Sequence, residues 1–214
     1  MPSMSRKERE RETRRKEILE AARAVIAQKG VAGATLEEIA EKADYKPATL
    51  YLYFSSKDDL LANLYLSVMQ QGAMIEIEAL AAKPMDDPLQ KLYMLPDLYA
   101  RIYLFDREVL LSLLYMQAGK SYSSVAPETL EKLNKMARRG VRGTAKIFAE
   151  CLDRGLLKPA SPIVLFDALW SLFVGVVLWE ESKRIFNPSK DNVESTLRSA
   201  MKTLIEGMIK NPTD

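Results

Sequence analysis

Apolar residues recur at intervals of three and four along nearly the whole chain, which is the spacing of one face of an α-helix. The first such stripe ends at Lys29-Gly30 and consists of Ile18, Leu19, Ala22, Val25 and Ile26. No run alternates apolar and polar residues over the length of a strand. The pattern therefore predicts an all-α fold.

Helix start signals and breakers divide this pattern into elements. Thr35 with Glu38, and Ser56 with Asp59, have the spacing of a capping box, in which a hydroxyl and a carboxylate each bind a backbone amide at a helix start. The segment AAKPMDDP after residue 80 interrupts the pattern. Further helices are predicted over 88–103, 106–118, 127–154, 162–184 and 191–209.

These elements predict a small three-helix head on a larger helical body. We expect a charged N-terminal arm at 1–13, a head at 14–60 and a body at 61–214. Within the head, two short helices over about 35–42 and 46–53 are separated by a three-residue turn. That arrangement is the helix-turn-helix unit, whose second helix enters the major groove of DNA.

The composition of the chain narrows the classes of function that it can have. The 214 residues are 48% hydrophobic and 28% charged, which is enough to bury a core, and the net charge is +2. The chain has no histidine, which removes the commonest general base and most zinc ligand sets. It has one cysteine, Cys151, so an intrachain disulfide is impossible and a reducing compartment fits best. We expect no enzymatic activity and no cofactor.

One segment, residues 163–179, has the apolar character of a membrane span but only the lower limit of its length. It contains Asp167 and is followed by Glu180-Glu181. A helix that is apolar on all sides is more often buried in a core or an oligomer interface. We therefore expect a soluble, cytoplasmic protein that does not bind a membrane.

Residues 14–66 resemble the N-terminal domain of the TetR family of bacterial transcriptional repressors. The matching segments are ILEAARAVIAQKG, ATLEEIAEKA and ATLYLYFSSKDDLL, which occur in one register. The resemblance covers about a quarter of the chain. It implies a homodimer, a head that binds double-stranded DNA and a variable body that binds a small ligand.

The resemblance, together with side-chain chemistry, indicates eight candidate DNA-binding residues: Thr35, Lys46, Pro47, Ala48, Thr49, Tyr51, Tyr53 and Lys57. Base reading is expected from 46–49, including methyl contacts with thymine at the two positions without polar side-chain atoms. Phosphate contacts are expected from the other four. The alternatives stay open: Thr35 as a helix cap only, Tyr51 as a core residue and Lys57 as a solvated surface residue.

The sequence departs from the family pattern at residues 43–48. Asp44 stands where the family usually has glycine, and aspartate tolerates positive φ better than most residues. Lys46 replaces the usual N-cap hydroxyl, and Pro47 partly compensates because proline suits the first helical position. A poor cap on a DNA-facing helix makes sense if the lysine binds phosphate or guanine.

The charged arm is open to two interpretations. Residues 6–16 contain seven Arg/Lys and three glutamates. Alternating charges are typical of a solvated helix face with internal ion pairs. The alternative is a basic arm that contacts phosphates or the minor groove, as related arms do.

The body is expected to bind a second copy and an effector. The resemblance implies that the last two helices, 162–184 and 191–209, form the homodimer interface; the alternative is that 163–179 is purely monomer core. An unidentified small, apolar or amphipathic effector is expected among the large body side chains. Candidate ligand-binding residues, each of which could instead be core, are Tyr99, Tyr103, Met116, Phe148, Trp170 and Phe173.

These features predict a sequence-specific DNA-binding transcriptional regulator. We expect a ligand-responsive repressor that acts as a homodimer on a palindromic operator. The alternatives are an activator of the same family, or a helical interaction protein that has lost DNA binding. An all-α enzyme is disfavoured because the chain lacks histidine and a glycine-rich phosphate loop.

Overall fold

The computed structural model describes residues 5–71, 73–118 and 121–210, and its side chains except those of 68, 71–75 and 115–122. Within these ranges the chain forms ten α-helices and no β-sheet, which confirms the predicted fold class. The helices are α1 (Arg6–Gly33), α2 (Leu36–Lys42), α3 (Pro47–Leu50), α4 (Lys57–Gln71), α5 (Ala73–Ala82), α6 (Leu89–Phe105), α7 (Arg107–Ala118), α8 (Pro127–Asp153), α9 (Pro162–Lys183) and α10 (Val193–Met208).

The chain divides into two compact units, which differ in extent from the predicted head and body. Unit 1 consists of Met1–Val68 and Arg107–Leu133, and unit 2 consists of Met69–Asp106 and Asn134–Asp214. Unit 1 thus contains α1 to α3, most of α4, α7 and the start of α8.

The core of unit 1 forms around the first predicted stripe. All five of its members are buried: Ile18, Leu19, Ala22, Val25 and Ile26. The apolar residues Ile39 of α2 and Leu60 of α4 are fully buried in the same unit, and α1 packs against α2 and α7. The regular part of α1 ends at Gly30, whose φ of 69° is left-handed and therefore favours glycine.

Helix α1 begins at Arg6, so the described part of the predicted arm is helical. Ser5 caps it through a capping box with Glu8, in which the Ser5 amide donates to the Glu8 carboxylate at 2.7 Å. Arg6 and Glu10 form an exposed pair one turn apart at 3.0 Å. These contacts support the interpretation of the arm as a solvated helix face with internal ion pairs.

Unit 2 is built on α10, which packs against α6 and α9. One side of the predicted α10 stripe is buried, at Val193, Leu197, Met201 and Ile205. Two polar contacts in this unit join different helices: Lys91 donates to Glu150 at 2.7 Å, and the Tyr103 hydroxyl donates to Glu181. Glu180 is 4% exposed and accepts hydrogen bonds from Lys183 and Thr196.

Candidate nucleic-acid interface

The turn between α2 and α3 has the geometry that the sequence predicted. Asp44 has a φ of 60°, the left-handed conformation for which glycine is the usual residue. The Asp44 amide donates to the Glu41 carbonyl at 3.1 Å, and the Tyr45 amide donates to the Ala40 carbonyl at 2.8 Å. Together these two bonds form a Schellman motif, which ends α2 and turns the chain toward α3.

Helix α3 starts without a side-chain cap. Lys46 occupies the N-cap position with extended φ and ψ of −75° and 145°, and its side chain caps none of the described amides. Pro47 follows at the first helical position, as predicted. The helical path continues beyond Leu50, because the Leu52 amide donates to Thr49 at 3.1 Å and the Phe54 amide donates to Leu50 at 2.9 Å.

The two sides of this segment differ sharply in burial. Leu50 and Phe54 point into the core of unit 1 and are almost fully buried. The opposite side is exposed and consists of Lys46, Pro47, Ala48, Tyr51 and Leu52. We call these five residues the reading face. Four of them are predicted DNA-binding residues, and Thr49 lies beside them, half-buried.

Arginines of α1 hold the end of α3 in place. The Arg15 guanidinium carbon lies 5.4 Å from the centroid of the Phe54 ring, and the Arg11 guanidinium carbon lies 6.0 Å from the Tyr53 centroid. Both distances are in the range of a cation–π contact. Tyr53 is accordingly half-buried, unlike the exposed Tyr51. The ring of Tyr53 therefore supports the head whether or not its hydroxyl contacts phosphate.

Thr35 and Lys57 both perform structural tasks in unit 1. The Glu38 amide donates to the Thr35 hydroxyl at 3.2 Å and the Thr35 amide donates to the Glu38 carboxylate at 3.1 Å, which confirms the predicted capping box. Lys29 pairs with Glu38, and this hydrogen bond holds the pKa of Glu38 below its usual value. The Lys57 ammonium donates to the Val31 and Ala34 carbonyls at 2.7 and 2.6 Å, so two of its three protons satisfy backbone carbonyls.

A buried polar network joins α4 to the start of α8 within unit 1. Asn63 accepts a hydrogen bond from Arg15, and its amide nitrogen donates to the Thr129 hydroxyl at 3.1 Å. The Asp59 carboxylate accepts from the amides of Ser55 at 3.0 Å and Ala126 at 3.2 Å. One half of the predicted capping box is confirmed, because the Asp59 amide donates to the Ser56 hydroxyl at 2.9 Å. The other half differs from the prediction, since the Asp59 carboxylate binds the Ser55 amide and not that of Ser56.

The turn is also tied to α1. The Tyr45 hydroxyl donates to the Glu17 carboxylate at 2.6 Å. This hydrogen bond raises the pKa of Tyr45, because ionisation would remove the donated proton. The contact fixes the start of the reading face relative to α1.

In unit 2, three of the predicted ligand-binding residues come together. The ring centroids of Tyr99 and Phe173 are 5.3 Å apart, and those of Trp170 and Phe173 are 5.2 Å apart. Phe166, which is not one of the six candidates, stacks on Trp170 with ring centroids 6.3 Å apart. Burial raises the pKa of Tyr99 to about 12. The arrangement is an aromatic cluster with one hydroxyl.

The other three predicted ligand-binding residues are placed differently. Phe148 is fully buried, and the hydroxyl of the buried Tyr103 is bonded to Glu181. The side chain of Met116 lies outside the described residues. Whether any of the six binds an effector stays a prediction.

The residue that sequence reasoning missed on the reading face is Leu52. It is 72% exposed, more than Tyr51 at 57%. Its position in the run TLYLYF was the available signal, because the buried Leu50 and Phe54 leave Leu52 on the opposite side of a short helix.

Comparison with known proteins supports the resemblance. Residues 18–64 match the family model described as bacterial regulatory proteins, tetR family. An uncharacterized HTH-type transcriptional regulator of Mycobacterium tuberculosis is 42% identical over 69 residues, which are 32% of this chain and 32% of that relative. The aligned segment thus spans about a third of the curated relative's length.

Solved structures match over most of the chain. The TetR family transcriptional regulator PfmR of Thermus thermophilus has a TM-score of 0.68 at 19% identity, covering 88% of this chain and 97% of that one. SmeT, the repressor of a Stenotrophomonas maltophilia multidrug efflux pump, has a TM-score of 0.66 at 20% identity, covering 94% and 92%. These likenesses show a shared fold. The segment 18–64 thus matches the TetR family of bacterial regulatory proteins, and the chain as a whole shares the fold of TetR-family regulators.

Proposed function

We propose that this chain is a sequence-specific DNA-binding transcriptional repressor, and that the reading face enters the major groove of its operator. The observation that carries the proposal is the exposure of Lys46, Pro47, Ala48 and Tyr51 while Leu50 and Phe54 anchor the same segment. A DNA-reading element has to be exposed on one side and fixed on the other. The repressor assignment takes support from SmeT, which is named a repressor.

We assign phosphate contacts to residues at the edges of the reading face. Tyr51 and Tyr53 can donate their hydroxyls, and Lys57 has one proton left after its two backbone contacts. Thr35 lies at the start of α2, where backbone amides and the helix dipole favour an anion. We assign the base contacts to Lys46, Pro47, Ala48 and Thr49. The head at 14–60 and the body at 61–214 are proposed as the DNA-binding and the effector-binding and dimerisation domains.

We propose that α9 and α10 form the homodimer interface. The exposed large apolar side chains of α9 are Ile163, Val164 and Trp179, and others such as Trp170 are only half-buried within the chain, so part of its apolar surface stays uncovered. Its exposed stripe runs through Val164, Ser171, Gly175 and Trp179, the last of which is 64% exposed. Asp167 lies on the same exposed side, which disfavours a lipid environment and fits a protein partner in the cytoplasm.

The dimer proposal has a direct test in Gly175→Arg. An added Cβ at this position meets no atom within 4 Å in the protomer, so the variant should fold. Two arginines brought together in a two-fold interface should convert the dimer into monomers at micromolar concentration, measured by sedimentation equilibrium. The matched control is Gln90→Arg at an exposed position of α6, and this variant should stay dimeric. A monomeric wild-type protein contradicts the proposal.

The effector is proposed to be small and apolar or amphipathic, and to bind near the aromatic cluster of unit 2. The cluster offers flat apolar rings and the neutral Tyr99 hydroxyl, which suit an uncharged aromatic or acyl group. Binding would act on DNA affinity only by favouring one conformation of the dimer over another.

DNA binding itself is tested by selecting sites from random duplexes and titrating salt. A specific complex should weaken steeply as salt rises, with a slope set by the number of phosphate contacts. The control is the variant with the exposed Lys46 and Tyr51 replaced by alanine, which should bind the selected site more weakly and with a smaller salt slope. Failure of the wild type to enrich any sequence would refute the proposed function and favour an interaction protein.

A further inference from the structure

We propose that the reading face recognises thymine methyl groups and that Leu52 is a specificity-determining residue of the chain. The inference rests on the proposed function and names the class of target: operator half-sites that present thymine in the major groove opposite α3.

The first step is the chemistry of the reading face. Three of its five residues, Pro47, Ala48 and Leu52, carry only carbon atoms in their side chains. The face contains no carboxylate, no amide side chain and no guanidinium. It therefore lacks the groups that bind adenine in a bidentate manner or accept from cytosine, and Lys46 is the one charged member, which can donate to guanine or phosphate.

The second step is position. Ala48 and Leu52 are four residues apart on a helical path, so their side chains lie on the same side. The hydrogen bonds from Leu52 to Thr49 and from Phe54 to Leu50 keep this path helical beyond the end of α3. Because Leu50 and Phe54 are buried, Leu52 is directed outward, at 72% exposure.

The third step is the choice of partner. The C5-methyl group of thymine is the one apolar group that unmodified base pairs present in the major groove. Residues 45–57 contain two lysines and no acidic residue, which complements a phosphate backbone better than an average protein surface. A carbon-rich patch with a basic surround therefore fits a thymine-containing duplex.

The test uses the selected duplex with thymine replaced by deoxyuridine at one symmetric pair of positions at a time. This change removes only the methyl group and keeps base pairing. Each lost methyl contact should weaken binding about fourfold, as expected for one buried methyl or methylene, and both half-sites together about 15-fold. Fluorescence anisotropy at fixed salt measures the dissociation constants. Deoxyuridine in the flanks should have no effect.

The variant Leu52→Ala tests whether Leu52 makes one of the methyl contacts. Because the side chain is exposed, the variant should fold, and it should bind thymine and deoxyuridine duplexes equally at the position that Leu52 contacts. The matched control is Leu104→Ala, which changes another exposed leucine far along the chain, on α6. This variant should keep the full discrimination between thymine and deoxyuridine. Replacing the thymine pair by 5-methylcytosine paired with guanine should restore more binding than unmodified cytosine does.

The outcomes separate the two levels of inference. Selection of a site at which no deoxyuridine substitution weakens binding would overturn methyl recognition and leave DNA binding intact. Discrimination that persists unchanged in Leu52→Ala would overturn the role of Leu52. Absence of any selected site would instead refute the proposed function.

Discussion

The replacement Lys46→Ser separates the stability of the head from its affinity for DNA. Lys46 already has the extended backbone of an N-cap residue, so serine can cap α3 without rearrangement. The Thr49 amide is already bonded to the Lys46 carbonyl at 2.8 Å, which places the gain at the low end of the usual range for caps. With loss of a cation at the helix start, we expect stabilisation by about 0.5–1 kcal/mol.

The same variant should bind the selected operator more weakly. Each lysine that contacts a phosphate adds about 0.9 to the slope of log affinity against log salt. Loss of a Lys46–phosphate contact in each protomer should therefore reduce the slope of a dimer by about 2, whereas loss of a Lys46–guanine contact should weaken binding with little change in slope. Urea unfolding followed by far-UV circular dichroism, at one fixed protein concentration, measures stability, and anisotropy titrations at several salt concentrations measure the slope.

Lys83→Ser controls for net charge, because Lys83 is an exposed residue of unit 2 between α5 and α6, outside both the reading face and the proposed dimer interface. It should leave the salt slope unchanged. Increased stability of Lys46→Ser with unaltered affinity and slope would show that Lys46 is a poor cap without a DNA contact. Unaltered stability would show that the capping argument is wrong.

Three further variants test other parts of the structure by urea unfolding. Asp44→Gly should stabilise the protein by about 0.5 kcal/mol, because relief of the strain at a positive φ outweighs the greater entropic cost of ordering glycine on folding. A decrease in stability would contradict the turn geometry. Gly143→Ala should destabilise it by about 1 kcal/mol, because the new Cβ would lie 2.6 Å from Ile77 Cγ2 in unit 2, whereas Gly207→Ala, which meets no atom within 4 Å, should not. The pKa of Glu180 lies below its ordinary value of 4.5 because Lys183 donates a hydrogen bond to it. The contribution of Glu180 to stability is therefore present above pH 4.5 and is lost as pH falls through the folded pKa. Glu180→Gln should be less stable than wild type at neutral pH, and the difference in stability should shrink below pH 4.5. A difference that does not vary with pH would contradict the ion pair.

Local signals in the sequence were sufficient for most of the fold. The capping box at Thr35, the glycine at the end of the first stripe and the left-handed Asp44 each involve residues within a few positions of one another. Such short-range geometry depends mainly on backbone sterics and on hydrogen bonds to neighbouring amides. Helix bounds therefore agree with the prediction to within a few residues in most of the chain.

What the sequence did not reveal depends on contacts between distant positions. Arg15 and Asn63 are 48 residues apart, and Asn63 and Thr129 are 66 apart. Lys57 contacts carbonyls that precede it by more than twenty residues. No local pattern distinguishes a lysine that satisfies backbone carbonyls from one left to bind phosphate, since both are surface lysines at a helix start.

The weakness of α3 on its own explains the division between its two sides. A helix of four regular residues without a side-chain cap is far below the length at which helices are stable in water. Its conformation must therefore come from burial of Leu50 and Phe54 and from the cation–π contacts of Arg11 and Arg15. Since none of these contacts uses the reading face, substitutions there can alter DNA recognition with little effect on folding. Loss of Phe54, in contrast, should abolish DNA binding through unfolding of the head, even though its ring faces away from the groove.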